Sequence, residues 1–205
     1  MLVKQESETK RKILETALEL IWESSYGSVS VDDICTKAGV NKGSFYYAFK
    51  SKSDLAVAAF ERHWETKRPL LDQMFSAQFP PLERLQTYCK LAIEDQTERA
   101  RKHGKVLGCP FACLGSEQST QDENIRKKVE QMSTRMMKYF ESLVRDFAAE
   151  GLIETSDPAG LGREFYFYFV GVMMQAKIEN NLKVLDQLYP GALRILNVKQ
   201  VAATA

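Results

Sequence analysis

Residues 42–52, with the sequence KGSFYYAFKSK, carry side chains suited to binding phosphates and base edges. Phe45 and Phe49 are four residues apart, so in a helix they share one buried face. The opposite face combines an ammonium, a bare backbone position and two phenols, from Lys42, Gly43, Tyr46 and Tyr47. Tyr46 and Tyr47 could instead be core aromatics, but the two phenylalanines already fill the buried face. Residues 34–53 hold four lysines and no acidic residue, which predicts a locally positive surface.

Three short helices are expected to position this face, and each has a start signal in the sequence. Ser30 and Asp33 have the spacing of a capping box, and Ser51 and Asp54 repeat it. Asn41 can cap the middle helix. The turn before Asn41 contains a glycine, which can adopt the left-handed conformation that ends helices. Two helices joined by so tight a turn predict a helix-turn-helix.

The segment resembles the DNA-binding domain of TetR-family transcriptional regulators. The matching residues are Thr9-x3-Ile13-Leu14 and Ser30-Val31-x2-Ile34-x3-Ala38-Gly39-Val40-x-Lys42-Gly43-x-Phe45-Tyr46-Tyr47-x-Phe49-x2-Lys52-x2-Leu55. The resemblance implies an all-α homodimer of about nine helices per chain that binds double-stranded, palindromic operator DNA. Residues 1–52 would form the helix-turn-helix domain, and residues 53–205 the effector-binding and dimerisation domain.

The resemblance also implies which residues touch DNA. The positions that match the family's DNA contacts are Lys42, Gly43, Tyr46, Tyr47 and Lys52, with Thr9 and Ser30 near phosphates. Ala48 stands where many relatives carry histidine, so any contact from that side chain is absent here.

The second half of the chain is expected to hold a small-molecule effector. The predicted pocket residues are mostly aromatic or sulfur-containing: Phe60, Trp64, Cys109, Phe111, Met136, Tyr139, Tyr166, Phe169 and Met173. Such a lining favours an apolar or aromatic effector. Residues 165–176 are apolar almost all round, so one side can line the pocket and the other can meet a partner chain. The predicted dimer contacts are Phe165, Gly171, Leu185 and Leu188.

Cys109 has two interpretations. It directly precedes Pro110, where a helix is expected to begin, and unpaired N–H groups at a helix start favour a thiolate. The segment around it has a looser resemblance to an electrophile-sensing branch of the family, which often has Asn where Cys113 stands. Cys109 would then be a thiol-redox sensor; the alternative is a small buried core residue. Cys109, Cys113 and His103 make a weak zinc set, so neither a metal nor a cofactor is expected.

Two prolines set further expectations. Pro69 should kink the long helix that starts after Ser51 or end it early. Pro190 and Gly191 should interrupt a final helix over residues 182–196.

Composition and motifs argue against other classes of protein. The chain has 205 residues, a net charge of +1, two histidines and four cysteines, which is too few cysteines to suggest a disulfide scaffold. A small helical enzyme would need catalytic motifs, and neither a G-x-S-x-G elbow nor a Gly-rich phosphate loop is present. A structural scaffold would leave the 42–52 face unexplained. The longest apolar run is too short to span a membrane, so the protein is expected to be cytoplasmic. Repression is the leading expectation, with activation open.

Overall fold

The computed structural model describes residues 7–199, which form nine α-helices and one 3-10 helix. The α-helices are α1 (Glu8–Glu23), α2 (Val31–Ala38), α3 (Lys42–Ala48), α4 (Lys52–Met74), α5 (Pro81–His103), α6 (Pro110–Gln118), α7 (Glu123–Ala149), α8 (Pro158–Ile178) and α9 (Leu188–Ile195). The 3-10 helix is Leu182–Gln187. The predicted all-α class, with an N-terminal helix-turn-helix and a C-terminal helical part, is confirmed.

The helix-turn-helix forms from the start signals that the sequence predicts. Ser30 and Asp33 make a complete capping box at the start of α2. The Oδ1 atom of Asn41 accepts a hydrogen bond of 2.8 Å from the amide of Ser44 at the start of α3. Gly39 lies at φ 66° between the two helices, a conformation that costs other residues more than glycine. Local capping therefore fixes both ends of the tight turn.

The chain divides into two compact units, and the first contains more than the helix-turn-helix. It consists of the chain up to Arg68 together with Pro110–Met132. Its apolar core joins residues from α1 to α4 with Leu114 of α6 and Ile125 of α7. The division into compact units thus differs from the predicted domains, residues 1–52 and 53–205, and that functional division stays a prediction. It differs because α6 and the start of α7 contribute side chains to the same core as α1 to α4.

The second unit, Pro69–Cys109 together with the chain from Ser133 onward, is built around an aromatic core. Phe140 of α7 is fully buried, and its ring centroid lies 4.6 Å from that of Phe165 and 5.4 Å from that of Tyr88. Gly162 allows α8 to approach α7 closely, because a Cβ there would lie 2.8 Å from the Cα and N atoms of Glu141. Close backbone contact and aromatic packing together hold α7 against α8.

Two buried polar side chains of α5 in the second unit, Arg84 and Gln96, make hydrogen bonds outside their own helix. Arg84 of α5 donates to a carboxylate oxygen of Asp146 at 2.7 Å and to the carbonyl of Phe75 at 3.3 Å. Gln96 of α5 exchanges two hydrogen bonds with the backbone of Gly108, donating at 3.2 Å and accepting at 2.9 Å. The Gln96 pair fixes the segment that follows α5, and the Arg84 pair ties the start of α5 to α7.

Neither proline interrupts its helix where the sequence suggests. Pro69 lies inside α4, which continues to Met74, so the expected early end is wrong. Proline removes one helical hydrogen bond, and burial of Leu71 and Phe75 beyond it holds the rest of the helix. Pro190 lies in the first turn of α9, where a missing N–H is tolerated. The interruption falls earlier, where the 3-10 helix passes into α9 at Leu188.

Residues 7–199 contain neither a membrane-spanning helix nor a cluster of metal-binding side chains. None of the helices there has both the length and the apolarity that a membrane crossing requires. In the same residues, no three His, Cys, Asp or Glu side chains are placed together so that they could hold a metal ion.

Candidate nucleic-acid interface

Helix α3 presents two aromatic side chains to solvent because its other face is fully used by the core. Phe45 is fully buried, and Phe49, just after the helix, is nearly so. Tyr46 is 57% exposed and Tyr47 is 96% exposed. A phenol that exposed gains little from hydrophobic burial, which removes the core interpretation for Tyr47. The outer face is free to contact a partner through its hydroxyl groups.

Lys42, at the first position of α3, also points away from the core. Its ammonium pairs with a carboxylate oxygen of Asp32 at 2.8 Å, and both side chains are well exposed. The hydrogen bond to Asp32 raises the pKa of Lys42, so this lysine stays charged. Exposed ion pairs of this kind are weak and are screened by salt. A phosphate or a base edge can therefore compete with Asp32 for the ammonium.

The start of α1 lies beside α3 and completes a shallow depression in the surface. The depression is lined by Ser7, Thr9 and Lys10 on one side and by Asn41, Gly43, Ser44, Tyr47 and Ala48 on the other. Ser7 caps α1 by accepting a hydrogen bond of 3.2 Å from the amide of Lys10. The N-terminus of a helix favours negative charge. The structure thus brings Thr9 next to Gly43 and Tyr47, in a surface suited to a phosphate.

Lys52 is held inside the unit rather than extended toward solvent. Its ammonium donates to the carbonyl of Tyr26 at 2.7 Å and to that of Val29 at 2.8 Å. It also lies 4.0 Å from the centroid of the Tyr26 ring. Burial lowers the pKa of Lys52. Two of its three N–H donors are used within the chain, so its contact with a phosphate stays a prediction with a competing structural role.

Ser30 is likewise engaged in local hydrogen bonds. Its hydroxyl accepts from the amide of Asp33 at 3.1 Å and donates to the Asp33 carboxylate at 2.6 Å. These hydrogen bonds lower the pKa of Asp33. Ser30 remains exposed at the start of α2, and its placement near a phosphate stays a prediction.

The residues predicted to line an effector pocket are divided between the two units. Phe60, Trp64 and Phe111 belong to the first, where the rings of Phe60 and Phe111 are 5.6 Å apart. His63 packs between Trp22 and Phe111, at 5.6 and 5.9 Å between centroids, which agrees with a structural role for this histidine.

The other predicted pocket residues belong to the second unit. These are Cys109, Met136, Tyr139, Tyr166, Phe169 and Met173. The Tyr166 hydroxyl donates to Ser133 at 2.8 Å, and burial raises the pKa of Tyr166 to about 12. The Tyr139 hydroxyl donates to Asp72.

Tyr88 of α5 is a polar residue of the second unit that none of the predictions above includes. Its ring packs against Phe169 at 4.9 Å, and burial raises the pKa of its hydroxyl well above the usual value. A tyrosine among the apolar positions of α5 was the available signal, because its hydroxyl must be buried with the ring.

Three of the four residues predicted to form dimer contacts are buried within their own chain. Phe165, Leu185 and Leu188 are fully buried within their own chain. The exposed apolar positions of α8 are instead Phe167, at 58%, and Ile178, at 73%, with exposed Gly171 between them. Burial in the single chain does not favour Phe165, Leu185 and Leu188, and the predicted dimer contacts stay a prediction. A helix that is apolar on all sides gives no sign of which side its own chain covers.

The four cysteines differ in burial. Cys35 and Cys89 are buried, whereas Cys109 and Cys113 are half-buried. Burial raises the pKa of Cys35, and it raises that of Cys89 to about 12. Cys109 lies directly before the first residue of α6, as predicted.

Two family models match the chain. The model of bacterial regulatory proteins of the tetR family matches residues 13–59, and that of the tetracyclin repressor-like C-terminal domain matches residues 81–190. The transcriptional regulator AcuR of Cereibacter sphaeroides is 30% identical over 82% of this chain and 76% of its own length. The transcriptional repressor NemR of Escherichia coli is 23% identical over 97% of this chain and 96% of its own.

Solved structures share the fold. A TetR regulatory protein from Rhodobacter sphaeroides superposes with a TM-score of 0.82 and 29% identity, covering 92% of this chain and 99% of that one. The reduced form of E. coli NemR gives a TM-score of 0.82 at 21% identity, covering 95% and 100%.

Proposed function

Since the chain belongs to the TetR family of bacterial regulatory proteins, we propose that it is a DNA-binding transcriptional repressor and not an enzyme. It acts in the cytoplasm as a homodimer on a palindromic operator, and a small-molecule effector releases it. The observation that carries the proposal is the exposed face of α3, which presents Lys42, Tyr46 and Tyr47 and places Tyr47 beside the start of α1.

Recognition of DNA follows from the chemistry of this surface. Lys42 and Tyr46 enter the major groove, where ammonium and hydroxyl groups can read base edges. Thr9, the N-terminus of α1 and Tyr47 bind phosphates on either side and fix the orientation of α3. The net charge of +1 gives little long-range attraction to DNA, so affinity depends on these local contacts.

The test is selection of a duplex from a random pool by the wild-type protein, followed by anisotropy titrations with that duplex. An inverted repeat should emerge, because a two-fold protein recognises a two-fold site. Lys42→Ala should bind the selected duplex about tenfold to a hundredfold more weakly and should lose base preference at one position per half-site. Lys90→Ala, which removes an exposed lysine of α5, is the matched control and should bind like wild type.

Lys52→Ala separates two roles of that lysine in the same titrations. If its ammonium binds a phosphate, affinity falls equally on all sequences and the slope of log K against log salt becomes shallower by about one contact. If it only holds the carbonyls of Tyr26 and Val29, affinity falls with an unchanged slope. Wild-type affinity in both Lys42→Ala and Lys52→Ala would contradict the assignment of this interface.

The effector is an apolar, aromatic or electrophilic small molecule. Support comes from the aromatic and Met-rich composition of the predicted pocket residues and from the half-buried position of Cys109. A ligand can release DNA only if it prefers the conformation that binds DNA poorly, so DNA must weaken its binding by the same factor.

A thiol reagent tests the electrophile hypothesis directly. N-ethylmaleimide should label Cys109 first and release the selected duplex, while Cys109→Ser stays bound. Cys35 and Cys89 should react slowly, because their raised pKa values leave little thiolate at neutral pH. Mass spectrometry beside a gel-shift assay measures both effects, with Cys113→Ser as the matched control. Equal labelling of all four cysteines, or release that persists in Cys109→Ser, would leave Cys109 as a packing residue and the effector as a reversible ligand.

A further inference from the structure

A carboxylate of α6 holds the turn between α1 and α2. One oxygen of Glu117 accepts a hydrogen bond of 2.9 Å from the amide of Tyr26, and the other accepts one of 2.6 Å from the amide of Gly27. These partners are about ninety residues apart in the chain. Bidentate hydrogen bonding of a carboxylate fixes direction as well as distance. Any displacement of the end of α6 must therefore move this turn or break both hydrogen bonds.

The same turn is held from its other side by Lys52. The lysine binds the carbonyls of Tyr26 and Val29 and covers the Tyr26 ring. The amide of Tyr26 thus donates to the carboxylate of Glu117 in α6. Its carbonyl accepts from the ammonium of Lys52, the first residue of α4. Helix α4 begins only a few residues after α3 ends. Glu117, the turn and Lys52 form a continuous polar connection from α6 to the start of α4, which follows the end of α3 after residues 49–51.

Helix α6 directly follows a segment of the second unit and packs in the core of the first. It begins at Pro110, directly after Cys109, the last residue of one segment of the second unit. Leu114 anchors it in the core of the first unit. Gly27 lies close enough to the carboxylate that a Cβ there would be 2.9 Å from one oxygen of Glu117. The connection is thus short, and a single methyl group on the turn should disturb it.

We propose that Glu117 is a positioning residue that couples the position of α6 to that of α3, through the turn and Lys52. The inference rests on the proposed function, because the coupling matters only if α3 binds DNA. By thermodynamic linkage, if a change in the conformation of α6 alters the free energy of DNA binding, DNA binding must alter the conformational free energy of α6 by the same amount. The coupling can therefore be measured with DNA alone, without knowing the effector.

The experiment is amide hydrogen exchange of residues 111–118 in the full-length protein, with and without a saturating amount of the selected duplex. In wild type the duplex should change the exchange rate of these amides by about tenfold, which is within the usual range of coupling between sites. In Glu117→Gln the change should shrink to less than about twofold, because the amide side chain offers one acceptor where the carboxylate offers two. Gly27→Ala, which leaves the carboxylate in place, should lose the change as well.

Glu123→Gln is the matched control. It removes the same charge from the same unit, but the ion pairs of Glu123 within residues 7–199 are with Arg126 and Lys127 of its own helix. This variant should keep the full duplex-dependent change. A role of Glu117 in stability alone would speed exchange equally with and without duplex, so the ratio of the two rates separates coupling from loss of stability.

The outcomes separate this inference from the proposed function. If wild type selects and binds a duplex but its α6 exchange is unaffected, or if Glu117→Gln and Gly27→Ala keep the full change, the coupling role of Glu117 is overturned and DNA binding stands. If wild type selects no duplex, the proposed function fails and the coupling inference fails with it.

Discussion

Gly162→Ala should lower the thermal midpoint of the protein by about 5–10 °C, which corresponds to an overpacking cost of about 2–3 kcal/mol in a chain of this length. The new Cβ would lie 2.8 Å from backbone atoms of Glu141 and 3.1 Å from the carbonyl carbon of Phe140. Backbone inside a helix cannot give way as the end of a flexible side chain can. The methyl group can be accommodated only if α8 moves away from α7, which would also separate Phe140 from Phe165.

Gly171→Ala makes the same exchange in the same helix. It is the control for this prediction once sedimentation shows that it keeps the wild-type mass, because Gly171 lies on the face of α8 proposed to contact a partner chain. A Cβ at Gly171 would meet no atom of its own chain within 4 Å. Both variants gain the helix propensity of alanine, about 1 kcal/mol, so the difference between their midpoints isolates the clash at Gly162. Thermal unfolding followed by circular dichroism measures it. Equal midpoints would show that α7 and α8 are not in close backbone contact.

Phe167→Glu should convert the proposed dimer to a folded monomer and weaken binding to the selected duplex by at least about a hundredfold, because a monomer loses the gain from engaging two half-sites at once. The phenyl ring is more than half exposed in the single chain, as is the side chain of Ile178, which predicts that a second chain covers both. Across a two-fold axis each substituted carboxylate would meet its symmetry mate or an apolar surface, and both arrangements are unfavourable.

Sedimentation at micromolar concentration, together with circular dichroism and anisotropy, measures this effect. Lys90→Glu, on the exposed side of α5, is the control for an added negative charge and should leave both mass and affinity unchanged. The predicted partner contact on this face of α8 would be contradicted by a wild-type monomer at that concentration or by a Phe167→Glu protein that remains dimeric.

The helix-turn-helix could be predicted from the sequence because its determinants are local. Ser30, Asn41 and Gly39 act within a few residues of their own positions, so spacing alone gives the caps and the turn. The outward orientation of Tyr46 and Tyr47 follows from the spacing of the two phenylalanines behind them.

The partners of Lys52 and Glu117 could not be predicted in the same way. Glu117 binds a turn about ninety residues earlier, and no periodicity or motif encodes such a pairing. Lys52 matches a family position for DNA contact, yet its ammonium meets two carbonyls that only the folded turn brings within reach.

The sequence could not predict which side of α8 packs against its own chain, for a different reason. Residues 165–176 are apolar on nearly every side, so a hydrophobic pattern carries no information about direction. Whether Phe165 or Phe167 faces the chain's own core depends on the close approach at Gly162, which is a property of two helices together.

The inclusion of Pro110–Met132 in the first unit has a consequence for exchanging operator specificity between regulators. A chimera joined near residue 52 would place another protein's residues at Leu114 and Ile125, inside the core of the transplanted helix-turn-helix. It would also replace Glu117 and so leave the amides of Tyr26 and Gly27 without their acceptor. The part of this chain that can be transplanted as a unit is discontinuous, and residues 110–132 must be transferred together with the N-terminal helices.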